Sequence, residues 1–151
     1  MKRRNRGFTL IEVLIVIVIG SILATMAVKG FGATSTALAA RQARNVFNGM
    51  AARARAQAIE SGMTTVLITS VSGDSVMILG QGGNIVENVR FNKEMNVDIR
   101  ASTSNFRICM SPRGFADTDC NSFSSAFNVS FVAGGNSETI EILPLGQIRW
   151  E

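Results

Sequence analysis

Glu12 is the residue whose surroundings most demand chemistry, because it is the one charged side chain between Phe8 and Val28, a run otherwise apolar or small. A carboxylate at the centre of a helix in hydrocarbon costs about 2.5–3.5 kcal/mol to insert, so it either takes up a proton or meets a cation. Three further groups invite a chemical reading. Asp117, Asp119 and Asn121 alternate as oxygen donors that a calcium ion could use, although the other EF-hand ligands and the bidentate glutamate are missing. The same stretch also reads as a polar surface loop, with Phe115 and Phe123 either packed in the core or forming a contact surface. Cys109 and Cys120 stand eleven positions apart. Arg149 sits beside Trp150 in Gly146-Gln147-Ile148-Arg149-Trp150, where it could touch nucleic-acid phosphate or lie in a paired strand with Trp150 buried. Phosphate binding needs several cations acting together, which makes nucleic acid the lesser reading.

Catalysis finds no support in the residue types. The chain has no histidine to act as a base, and its serines lack a nucleophile setting such as G-x-S-x-G. Gly80-Gln81-Gly82-Gly83 lacks the third glycine and the βαβ unit of a dinucleotide loop, and reads as a turn. With two cysteines and no histidine, no tetrahedral nitrogen/sulfur zinc site can be assembled. The expectation is a protein that is not an enzyme and carries no cofactor.

The elements around Glu12 define its setting. Phe8 to Val28 is twenty-one residues, about 31 Å of helix, close to the hydrocarbon thickness of a bilayer. Lys2, Arg3, Arg4 and Arg6 precede it and hold the N-terminus in the cytoplasm, which sends the rest of the chain across the membrane. Ala24-Thr25-Met26-Ala27 is a poor match to the small-x-small site of an ordinary secretory signal. In the oxidising compartment beyond the membrane, Cys109 and Cys120 read as a disulfide worth on the order of 3 kcal/mol.

Gly7-Phe8-Thr9-Leu10-Ile11-Glu12 resembles the class III signal of type IV prepilins and type II secretion pseudopilins. The resemblance implies that prepilin peptidase cuts after Gly7 and N-methylates Phe8. It also implies that Glu12, fifth in the mature chain, pairs with the N-terminal amine of a neighbouring subunit. Glu12 then sets the register of assembly, with Ile11, Leu14, Ile15 and Val18 as helix packing. Partners are other pilin or pseudopilin subunits, the peptidase, and the inner membrane before assembly. The location is a single-pass inner-membrane protein with a periplasmic head, then a pilus or pseudopilus. The small head, the helix ending and the terminal ETIEILPLGQIRW are similar to minor pseudopilins and FimT/FimU-type minor pilins. Some FimT-like proteins bind DNA through a C-terminal Gly-Arg-x-Arg; here Gln147 replaces the first arginine.

The implied fold is α+β, a long N-terminal helix, membrane-spanning in its first half, packed on a small antiparallel sheet. The segments are a leader over 1–7, a filament-core helix over 8–28, an amphipathic continuation over 29–62 and a head over 63–151. From Ala33, Leu38, Ala43, Phe47, Met50, Ala54 and Ala58 recur at helical spacing, opposite Arg41, Arg44, Asn48 and Arg55. Gly62 ends the helix. Gly30 and Gly32 invite a bend or local melting. Beyond lie eight strand candidates, Thr64–Thr69, Ser75–Leu79, Ile85–Phe91, Val97–Arg100, Phe106–Met110, Phe127–Val132, Thr139–Leu143 and Gln147–Trp150, in a meander with turns at Ser72-Gly73-Asp74 and Gly134-Gly135-Asn136.

The net charge of +4 resides in the leader, since removing its four cations leaves eleven basic and eleven acidic residues. A basic stretch from Lys29 to Arg55 then precedes a mildly acidic head. It serves either as a solvated helix face or as a complement to neighbouring subunits.

Overall fold

A computed structural model describes residues 9–150, apart from the side chains of Ala27, Val28, Lys29, Phe31 and Ala33. The chain divides into two units, Met1–Ser35 and Thr36–Glu151. Helix α1 runs Leu10–Ser61. Its helical assignment continues through Gly30 and Gly32, so the local melting expected there does not occur. In the first unit the side chains of Ile11, Leu14, Ile15 and Val18 are exposed. The hydroxyls of Ser21 and Thr25 donate back to Val18 O and Ile22 O, both at 2.8 Å, so these polar groups are satisfied within an apolar segment. Among the described residues no helix is long and apolar enough to cross a membrane. The span expected over 8–28 includes Phe8, Ala27 and Val28, which lie outside the described side chains.

In the second unit α1 ends at Gly62, whose φ of 65° makes the left-handed cap expected there. Ala43, Phe47, Met50, Ala54 and Ala58 are fully buried, but Leu38 is 63% exposed and leaves the core-facing set. Six of the seven buried residues on this face are small or aromatic, which lets sheet backbones approach the helix closely and leaves Phe47 as its largest wedge.

The strands are β1 (Thr65–Ser70), β2 (Ser75–Leu79), β3 (Ile85–Arg90), β4 (Asp98–Ala101), β5 (Asn105–Met110), β6 (Phe127–Ala133), β7 (Asn136–Ile142) and β8 (Ile148–Trp150). All eight fall on the sequence candidates, β7 starting three residues early. They do not form one meander. Two four-stranded antiparallel sheets form instead, ordered β3-β2-β1-β5 and β4-β6-β7-β8. The divergence begins after β3, where a five-residue helix, α2 (Phe91–Met95), absent from the sequence expectation, turns the chain and buries Phe91. β4 then pairs with β6, and β5 returns to β1. Phe47 reaches both sheets, with ring centroids 6.4 Å from Phe106 of β5 and 5.6 Å from Phe131 of β6.

Candidate functional site

α1 opens on a cap. Glu12 N donates to Thr9 Oγ1 at 3.3 Å and to Thr9 O at 3.1 Å, so Thr9 satisfies a donor that the first turn leaves free. Glu12 thereby lies in the first turn, where the positive end of the helix dipole favours a carboxylate. The role of Thr9 went unread in the sequence, although Thr9-x-x-Glu12 is the capping-box spacing that signals it. Glu12 itself is exposed, and Ile11, Leu14, Ile15 and Val18 form one stripe at positions i, i+3, i+4 and i+7. Gly7 and Phe8, the expected processing residues, lie outside the described residues.

Cys109 and Cys120 are joined, with Cα atoms 5.8 Å apart. The bridged loop lies along β5, the last strand of its sheet, and covers that edge. Asp117 N donates to Cys109 O at 2.8 Å, and Arg107 N donates to Ser122 Oγ at 2.9 Å. Of the three side chains picked out for calcium, two have an oxygen engaged within the protein. Asn121 Oδ1 accepts from Cys109 N at 2.9 Å while its Nδ2 donates to Pro144 O, and Asp117 Oδ1 accepts from Asp119 N at 3.1 Å. Among the described residues no group of three or more metal-ligating acids, cysteines or histidines forms. The side chains of Asp117 and Asn121 thus brace the loop. Of the two phenylalanines proposed for contact, Phe123 packs on Phe127 with centroids 4.7 Å apart, whereas Phe115 remains 57% exposed.

Three arginines of the basic flank of α1 meet acids of the head. Arg41 Nε and Arg44 Nη1 bind the two carboxylate oxygens of Glu138 at 3.1 and 2.8 Å, and Arg53 Nη1 binds Glu87 at 2.7 Å. Charge complementarity between basic helix and acidic head operates within the subunit. Arg149 stands in β8 opposite Glu141, so strand pairing of this segment holds. The burial expected of Trp150 does not, since its side chain is 64% exposed: β8 is the outermost strand of its sheet, and among the described residues no strand pairs with its outer edge.

An apolar helix capped at its start and a disulfide-braced two-sheet head are the features with which the comparisons can be set beside this chain. Residues 2–28 match the prokaryotic N-terminal methylation motif. The fold is similar to that of the type IV minor pilin FimU of Pseudomonas aeruginosa. In its P21 crystal form the TM-score is 0.53 at 13% identity, over 74% of this chain and 87% of that one. In its P65 form the values are 0.51 and 14%, over 74% and 91%. At such identities the likeness shows the fold. No curated protein matches the sequence.

Proposed function

We propose that this chain is a structural minor subunit of a type IV pilus or of a type II secretion pseudopilus. The observation that carries this reading is the methylation motif over residues 2–28, running directly into a helix with an exposed apolar stripe. Prepilin peptidase removes residues 1–7 and methylates Phe8. Glu12 then pairs with the new amine of a neighbouring subunit. In a low-dielectric filament core that pairing favours the charged form of both groups. Before assembly the subunit resides in the inner membrane, head in the periplasm.

Replacing Gly7 with leucine is expected to leave full-length precursor, seen as a slower band in immunoblots of membranes. Glu12→Val is expected to be cleaved normally yet to disappear from sheared filament fractions. Normal cleavage of the first variant, or undiminished incorporation of the second, overturns the corresponding step.

A further inference from the structure

The outer edge of β5 is closed by the loop that the disulfide joins to it. Arg107 N donates to Ser122 Oγ at 2.9 Å, and Arg107 O accepts from Ser122 N at 3.3 Å. Cys109 N donates to Asn121 Oδ1 at 2.9 Å, and Cys109 O accepts from Asp117 N at 2.8 Å. Alternation along the strand leaves the backbone groups of Phe106 and Ile108 turned toward β1. Residues 117–122 therefore take up the row of donors and acceptors that an edge strand otherwise offers to a further strand.

Packing does little to hold those residues in place. None of them is buried, whereas Ala116 just before them is, and Phe123 just after them packs on Phe127. The segment is thus a span between two anchored points. Besides the edge bonds it has Arg107 Nε donating to Cys120 O and Asn121 Nδ2 donating to Pro144 O, both at 2.9 Å. Hydrogen bonds gain little where water competes for both partners, and segments with few buried apolar contacts are the first to open. The covalent tie across the edge is Cys109–Cys120. Its two sulfurs differ in access. Cys109 is fully buried, although it lies on the opposite face of β5 from the core residues Phe106, Ile108 and Met110, while Cys120 is partly exposed. An attacking thiolate therefore meets Cys120 first.

We propose that Cys109–Cys120 is a redox-sensitive latch on the β5 edge. The thiolate of a dithiol reductant attacks the Cys120 sulfur, the S–S bond breaks, and Cys109 leaves as a thiolate that takes a proton from solvent. The second thiol of the reductant then displaces Cys120 from the mixed disulfide. The dithiol ends as a cyclic disulfide, two electrons oxidised, and both cysteines end as thiols. Residues 117–122, tied by hydrogen bonds alone, lift from the strand and leave the backbone groups of Arg107 and Cys109 open. Reoxidation closes the edge again. The latch belongs to the head and does not depend on the subunit reading above.

Hydrogen exchange of the full chain in detergent micelles, read amide by amide before and after reduction with dithiothreitol, tests the latch. Protection of the Arg107 and Cys109 amides is expected to fall about tenfold or more on reduction, with that of Phe106 and Ile108 unchanged. The double variant Cys109→Ala, Cys120→Ala should show the reduced pattern without reductant. Glutathione in place of the dithiol should leave its adduct on Cys120. Unchanged protection of Arg107 and Cys109 after complete reduction overturns the proposal, because the hydrogen bonds then hold the loop alone. Equal loss at Phe106 and Ile108 also overturns it, because the disulfide then holds the sheet and not its edge. A glutathione adduct on Cys109 overturns the order of attack.

Discussion

Glu138 illustrates how little of a charge's role its residue type reveals. It holds two arginines at once, but Arg41 is 66% exposed and Arg44 only 24%. An exposed pair is weakened by solvent and by the entropy of two long side chains, while a half-buried one leaves an uncompensated charge when cut. Arg44→Ala is therefore expected to cost about 1–2 kcal/mol and Arg41→Ala less than about 0.5 kcal/mol in urea unfolding. Equal losses would show that burial does not rank the two bonds. The sequence displays the basic flank of α1, yet not its partners, because Arg44 and Glu138 are 94 positions apart. Thr9 is the opposite case: its cap is local, spans three positions and was available to a reader of the sequence.

Among the elements, the β7–β8 hairpin carries the sharpest steric demand. Pro144, Leu145 and Gly146 form a three-residue loop in which Gly146 takes the left-handed conformation, φ 76°, that such loops need after a tight turn. A Cβ there would stand 2.8 Å from Ala116 Cβ and 3.2 Å from Met110 Cε, on the loop and strand that the disulfide joins. Gly146→Ala is expected to cost about 2–3 kcal/mol from backbone strain and overpacking together. Gly135→Ala, with φ outside the left-handed region and open space around its Cβ, is expected to shift stability by less than about 0.5 kcal/mol. Chemical denaturation midpoints compare the two, and a neutral Gly146→Ala would mean that the loop moves away from β5. Strand positions were legible from alternation and turn residues; which strand each one pairs with was not.

At the scale of the globular unit, Phe47 holds helix and both sheets in one core. Because its ring meets Phe106 in one sheet and Phe131 in the other, its loss opens a void shared by three layers. Phe47→Ala is expected to cost about 3–5 kcal/mol in a single cooperative transition. Leu38→Ala, on the same expected apolar face but exposed, should be nearly neutral. Separate unfolding of the two sheets in Phe47→Ala, seen as non-coincident probes, would refute the shared core.

Properties that depend on neighbours in sequence were readable before any fold was known. The acid in the apolar run, the amphipathic stripe, its glycine cap, the eight strand segments and the reach between the two cysteines all follow from residue type and short-range spacing. Long-range pairing settled the rest. The split into two sheets followed from α2 and the return of β5 to β1. The arginines found their acids across the fold, and Asn121 became a brace once Pro144 was brought beside it. Trp150 stayed exposed because β8 ended its sheet. Burial and strand-edge exposure are properties of the assembled layers, and no local window of sequence contains them.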